Sequence, residues 1–110
     1  MNAARARRTA SVRDGDTERA QKETLPAPVE DYLAHLAVER QTSAHTLDAY
    51  RRDLTALSAW AIAQSRDLLD VSSDDLRAFV AGEHRRGLSP KSLQRRLSAC
   101  RSFYRWLLKL

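Results

Sequence analysis

The sequence predicts an all-α protein, a compact domain of four helices behind a flexible N-terminal tail. Apolar residues recur with a helical period in four separate stretches of the chain. Only 3 Gly and 3 Pro occur, too few for a turn-rich β fold. A chain of 110 residues, 43% of them hydrophobic, suits a single domain with one core.

The N-terminal segment, residues 1–28, is predicted to be a flexible basic tail. Val12 and Leu25 are almost its only large apolar residues, so burial cannot offset the entropy of ordering it. Pro26 and Pro28 close the segment before the first helix. The arginines near its start could contact phosphates, although a solvated tail is the more ordinary interpretation.

The first two predicted helices each carry one apolar stripe. The first spans Val29–Gln41, with its stripe at Val29, Tyr32, Leu33, Leu36 and Ala37. The second spans Ala44–Gln64, and Thr42 or Ser43 is suited to cap it. Its inward residues are predicted to be Leu47, Tyr50, Leu54, Leu57 and Ala61, with Trp60 beside them.

The last two helices have clear start and stop signals. The third spans Asp74–Arg86, preceded by a Ser72–Asp75 capping-box spacing and ended by Gly87. The fourth starts at Ser89-Pro90, a strong N-terminal signal, and continues to Leu110. Its apolar side is predicted to hold Leu93, Leu97, Cys100, Tyr104 and Leu107, with Phe103 flanking.

The charge pattern of the fourth helix is the main functional signal. The chain has a net charge of +5, yet eight cations and no acidic residue follow Glu83. A merely soluble helix usually mixes acids and bases at i, i+4 spacing, so this helix is predicted to present unpaired cations to an anionic partner. Nucleic acid is the commonest such partner, and an anionic membrane surface is a weaker alternative.

Other chemistry has little support in the sequence. His35, His45 and His84 are far apart and lack ligand-type neighbours, so neither a metal nor a cofactor is expected. Cys100 falls on an apolar stripe and is expected to be a core residue. A single cysteine fits a reducing cytoplasm, and no apolar run is long enough for a membrane span. No catalytic residue or small-molecule substrate is predicted.

Three interpretations of the basic helix remain open from the residues alone. The first is a domain that binds duplex DNA. The second is a helical module whose basic side binds an acidic protein. The third is a helix-turn-helix repressor, for which the short link from Arg85 to Pro90 is only weak support because any antiparallel helix pair gives a similar pattern.

Several ordered motifs resemble one family. They are Val38-Glu39-Arg40-Gln41, Ser43-Ala-His-Thr46-Leu47, Tyr50-Arg51-Arg52-Asp53-Leu54, Gly87-Leu88-Ser89, Ser92-Leu93 and the run from Arg96 to Leu107. In this order and spacing, residues 29–110 resemble the N-terminal core-binding domain of bacterial Xer tyrosine recombinases, closest to the XerC branch. The resemblance implies a four-helix SAM-like domain that closes around DNA as one half of a clamp.

The resemblance also implies the contacts and partners of such a domain. The second and fourth helices would approach the major groove of a duplex, a dif-like site. The implied DNA-binding residues are Thr46, Arg51, Arg52, Lys91, Ser92, Arg95, Arg96, Ser98 and Arg101. Arg96 and Arg101 lie near the edge of the apolar stripe, where bracing the fold is the alternative role.

The family's catalytic residues belong to a C-terminal domain that this chain does not include. The chain by itself is therefore expected to bind DNA without cleaving it. The parent recombinase would cut and rejoin DNA through a covalent phosphotyrosine. It would do so with a XerD-like partner, in the resolution of chromosome dimers.

Overall fold

A computed structural model describes residues 25–110, which form four α-helices and one short 3-10 helix. The α-helices are α1 (Ala27–Val38), α2 (Ala44–Ala63), α3 (Ser73–Arg85) and α4 (Pro90–Leu108), and the 3-10 helix, Leu68–Asp70, lies between α2 and α3. The all-α prediction is confirmed, with helix ends within three residues of those expected. The tail predicted for residues 1–28 falls almost wholly outside the described residues.

Serine caps start three of the helices. The hydroxyls of Ser43, Ser72 and Ser89 accept hydrogen bonds from backbone N–H groups three residues later, at 3.2, 3.0 and 3.2 Å. The carboxylate of Asp75 accepts a bond from the backbone N–H of Ser72, which completes the capping box. Each bond satisfies a donor that the first helical turn leaves without a partner, so these local residues fix where α2, α3 and α4 begin.

The N-terminal boundary of the folded domain lies earlier than the sequence indicates. Leu25 is only 8% exposed and packs in the main core with residues such as Val29. Helix α1 already begins at Ala27, directly after Pro26. Leu25 therefore packs with the helical domain, although the lack of apolar neighbours in the sequence assigned it to the tail.

Helix α4 lies at the centre of the bundle and contacts each of the other three helices. Phe103 is fully buried, with its ring centroid 5.6 Å from that of Tyr32 on α1. On the α3 side, Phe79 is 2% exposed and lies beside Trp60 of α2. Both aromatic pairs belong to one hydrophobic core to which all four helices contribute.

The inward side of α4 is rotated from the predicted one. Its buried residues are Ala99, Cys100 and Phe103, whereas Leu93, Leu97, Tyr104 and Leu107 are only partly buried. Arg96 precedes Ala99 and Cys100 by three and four residues, so it lies on the same inward side. The expectation of Phe103 as a flanking residue is therefore wrong, and a charged residue takes a place at the core.

The connections are short and held by specific bonds. Gly87 adopts φ 97° where α3 ends, a conformation that glycine tolerates without strain. The hydroxyl of Tyr104 on α4 donates to the carbonyl of Leu68 at 2.6 Å, which ties the α2–α3 connection to α4. No helix in residues 25–110 is long and apolar enough to cross a membrane.

Candidate nucleic-acid interface

A buried carboxylate on α2 organises the arginines of α4. Asp53 is fully buried, and its oxygens accept bonds from Arg95 Nε at 2.9 Å and Arg95 Nη2 at 2.7 Å. Arg96 Nε donates to the same carboxylate at 3.0 Å. One acid thus binds two consecutive arginines from a helix that has no acid of its own.

A second acid completes this cluster from α3. Glu83 is 7% exposed, and its Oε1 accepts a bond from Arg96 Nη1 at 2.6 Å. The Arg96 side chain is only 14% exposed, held between Asp53 and Glu83. We call Asp53, Glu83, Arg95 and Arg96 the ion cluster. It joins α2, α3 and α4 and carries no formal net charge.

The ion cluster corrects the expectation of unpaired cations on α4. Arg95 and Arg96 are both paired, because the acids that α4 lacks are supplied by α2 and α3. Arg96 is only 14% exposed and bonded to both acids, a geometry that favours the bracing role that was its alternative. Arg95 differs, since its side chain remains 37% exposed beside a wholly buried partner.

Arg51 is also paired with an acid of another helix. Its Nη1 and Nη2 donate to the two carboxylate oxygens of Glu30 on α1, at 2.9 and 3.0 Å. This hydrogen bonding raises the pKa of the Arg51 guanidinium above its ordinary value. The neighbouring Arg52 is exposed and forms no ion pair with any residue of the described range. Among residues 25–110, Arg51 has an acidic partner and the adjacent Arg52 has none.

A stripe of cations and hydroxyls runs along the outward side of α4. Spacings of four and three residues place its members within one narrow sector of the helix. They are Lys91, Arg95, Ser98, Ser102, Arg105 and Lys109. Within residues 25–110, Lys91, Arg105 and Lys109 are exposed and have no acidic partner. We call this set, with Thr46 of α2, the α2–α4 face.

The C-terminal end of the stripe borders a cleft of about 780 Å³. The cleft lies where α1, α2 and α4 meet, and its lining combines aromatic residues with polar ones, among them Thr46, Ser102, Arg105 and Lys109. Thr46 therefore lines the same cleft as Arg105 and Lys109, two cations that the list of implied DNA-binding residues did not include. The spacing from Lys91 through Lys109 was the available signal, since it extends the stripe past Ser98 to the end of the helix.

The remaining predicted contacts occupy different places. Ser98 is exposed on the stripe, whereas Ser92 is half-buried in the first turn of α4. Arg101 is exposed but lines the groove between α3 and α4, beside Leu76 and Val80. Lys91, Arg95 and Ser98 thus lie on the stripe, and Thr46 lies in the cleft at its C-terminal end. Arg51 is instead bonded to Glu30, and Arg96 is enclosed in the ion cluster.

The side chains capable of covalent chemistry are engaged in packing. Cys100 is fully buried, and burial raises the pKa of its thiol to about 12, so the thiolate is scarce near neutral pH. Burial also raises the pKa of Tyr32 and of Tyr104, the latter bonded to the Leu68 carbonyl. Residues 25–110 contain no group of three or more acids, histidines or cysteines placed to hold a metal ion.

Comparison with known proteins assigns the chain to a family. A family model described as "Phage integrase, N-terminal SAM-like domain" matches residues 29–109. Tyrosine recombinase XerC of Xanthomonas campestris pv. campestris (strain B100) is 72% identical over 87 residues, which cover 78% of this chain and 27% of that protein. No solved structure matches the chain.

More distant relatives carry the same name. Tyrosine recombinase XerC of Xylella fastidiosa (strain 9a5c) is 62% identical over 74% of this chain, and that of Pseudomonas aeruginosa (strain LESB58) is 49% identical over 77%. The matched region spans 28% of each of these two relatives, so the chain covers little more than a quarter of their length. The four helices and the family match together show that the chain belongs to the phage integrase N-terminal SAM-like domain family.

Proposed function

We propose that the chain is the DNA-binding N-terminal domain of a site-specific tyrosine recombinase and that it holds duplex DNA without cleaving it. The observation that carries the proposal is the outward stripe of α4, where Lys91, Arg105 and Lys109 have no acidic partner within residues 25–110. Phosphates would supply the missing negative charges. The names of the relatives support the same assignment.

The shape of the α2–α4 face suits a duplex. An α-helix fits the major groove of B-DNA, where lysines and arginines contact phosphates or guanine edges. The hydroxyls of Ser98 and Ser102 lie between the two pairs of stripe cations, and short side chains allow the helix to lie close to the DNA. Arg52 is a further exposed cation, on α2.

The finer part of the proposal concerns the parent protein. We infer a dif-like site as the target and a XerD-like recombinase as the partner, with strand cutting and joining by a catalytic tyrosine outside this domain. Chromosome dimer resolution is then the reaction served. An NMR titration of the chain with a dif-like duplex and with a scrambled duplex tests the target. Larger amide shifts on α2 and α4 with the dif-like sequence are expected, and equal shifts with both would contradict the target.

Salt-dependent binding tests the proposed function itself. Fluorescence anisotropy with a labelled duplex should show affinity that falls steeply with salt, because bound phosphates release counterions. Lys91→Ala and Arg105→Ala should each reduce the slope of log K against log salt by about one, with circular dichroism unchanged. The matched control is Arg77→Ala on α3, an exposed cation paired with Asp74 at 2.6 Å.

The outcome separates the competing functions. If Arg77→Ala lowers the slope as much as Lys91→Ala, the stripe has no special role and only the overall charge matters. If heparin competes as well as duplex DNA, a basic module for acidic proteins is favoured instead. Absence of duplex binding at low salt would overturn the proposal.

A further inference from the structure

The pairing of Arg95 with Asp53 leaves one edge of the guanidinium unused. Asp53 engages Nε at 2.9 Å and Nη2 at 2.7 Å, which together form the side edge of the planar group. Nη1 has no hydrogen-bond partner among residues 25–110. The end edge, formed by Nη1 and the second N–H of Nη2, is therefore available, and the side chain is 37% exposed.

We propose that Asp53 is a positioning residue for DNA binding. It holds Arg95 so that the end edge of the guanidinium can donate hydrogen bonds to a pair of acceptor atoms of the duplex. This inference rests on the proposed function. A guanidinium has two forked edges and can bind a carboxylate with one and a phosphate or the O6 and N7 of guanine with the other. A lysine ammonium offers no such second fork.

The rest of the ion cluster explains how Asp53 can act this way. A buried carboxylate stays in place only where its charge is compensated, and Arg96 supplies the second compensating bond at 3.0 Å. Glu83 in turn neutralises Arg96. Asp53 is thus anchored from α3 and α4, and Arg95 is the one member of the cluster that reaches the surface substantially.

Charge and position predict opposite effects for Asp53→Asn. Removing an acid near the interface makes the α2–α4 face more positive, so attraction alone predicts tighter duplex binding. Loss of the fixed Arg95 predicts weaker binding, because the freed side chain must be ordered on each encounter. The direction of the change therefore distinguishes a positioning role from a simple electrostatic one.

The test is a double-mutant cycle on duplex affinity, measured by anisotropy with a short labelled dif-like duplex and the full 110-residue chain. Arg95→Ala is expected to weaken binding roughly tenfold, and Asp53→Asn to reproduce most of that loss. The double variant should bind no more weakly than Arg95→Ala alone. Tighter or unchanged binding by Asp53→Asn, or an additive double variant, would overturn the inference.

Two further variants separate position from stability. Glu83→Gln removes the anchor of Arg96 but does not touch Arg95, so it should lower thermal stability and change duplex affinity less than about twofold. If Asp53→Asn does not fold, Arg95→Lys tests the inference instead. It keeps the positive charge at a position that is 37% exposed. Arg95→Lys should bind within about twofold of Arg95→Ala, and wild-type affinity would overturn the inference.

A duplex with 7-deazaguanine identifies the acceptor. If Arg95→Ala leaves the affinity for that duplex unchanged but lowers the affinity for the ordinary duplex about tenfold, the end edge binds guanine N7. An equal loss on both duplexes, with a lower salt slope, assigns a phosphate. Both results support the positioning of Arg95. A wild-type chain that binds no duplex would instead overturn the proposed function on which this inference rests.

Discussion

Arg96 of α4 donates from Nη1 to Oε1 of Glu83 on α3 at 2.6 Å. The same arginine donates from Nε to Oδ1 of Asp53 on α2 at 3.0 Å. The arginine is the only one of the ion cluster that contacts both acids. Removing it leaves two carboxylates, 7% and 0% exposed, with one fewer compensating charge. Such uncompensated burial is among the costliest of single changes.

Arg96→Ala is therefore expected to lower the free energy of unfolding by about 3 kcal/mol. Urea denaturation followed by circular dichroism measures the change. Arg101→Ala, which removes an exposed arginine on the same helix, is the control and should stay within about 0.5 kcal/mol of wild type. Similar midpoints for the two variants would contradict the structural role of Arg96.

Arg51 and Arg52 form a matched pair of adjacent cations. Arg52→Ala should reduce the salt slope of duplex binding by about one, since its charge is unpaired within the described residues. Arg51→Ala should leave the slope unchanged and cost at most about 1 kcal/mol of stability, because it breaks a half-exposed pair with Glu30. Anisotropy across a salt series compares them. A larger slope change for Arg51→Ala would show that Arg51 leaves Glu30 for DNA.

Cys100 predicts a loss of stability at alkaline pH. Its thiol has a pKa of about 12 when folded and an ordinary value of 9.0. A raised folded-state pKa gives stability that is complete below the unfolded pKa and is lost as the pH rises toward the folded one. The free energy of unfolding should thus fall by about 1 kcal/mol between pH 8 and pH 10 from this group.

The alkaline effect is measured by urea denaturation at several pH values. Cys100→Ala is the comparison, and its own dependence on pH above 9 should be shallower whatever its absolute stability. In the same range, native wild type should react slowly with a thiol reagent and rapidly in urea. An identical pH dependence for the two proteins would exclude the thiol as the cause.

Leu25 marks the start of the folded domain. Leu25→Ala should lower the free energy of unfolding by about 2 kcal/mol, because it removes a side chain that is 8% exposed and packed in the core. Leu69→Ala is the control, since Leu69 is 54% exposed. Thermal unfolding compares the two variants. Equal stability of the two variants would show that Leu25 does not contribute to the core.

The helices could be predicted from local residues because their signals are local. Serine caps, the capping box of Ser72 and Asp75, and Gly87 determine the helix ends through bonds within a few residues. The α2–α4 face followed in part from the spacing of cations on α4. These features require no knowledge of a distant partner.

The ion cluster could not be predicted in the same way. Arg96 is separated from Asp53 by 43 residues, and only the packing of α2 against α4 brings them together. A charged residue at the edge of an apolar stripe looks exposed until its partner is known. Leu25 is the apolar counterpart, since its core contacts come from other parts of the chain. In both cases a tertiary contact overrode the local pattern.

The bond from Tyr104 to the Leu68 carbonyl has a consequence for proteolysis. The connection between α2 and α3 is the longest in the bundle and contains Arg66, an exposed residue of the kind trypsin recognises. Yet Arg66 Nη2 lies 3.4 Å from Oδ1 of Asp75, and the carbonyl of Leu68, two residues later, is bonded to Tyr104 of α4. A protease needs an extended strand of substrate, so this connection should be cut only when the bundle opens, and digestion there would measure global unfolding rather than loop motion.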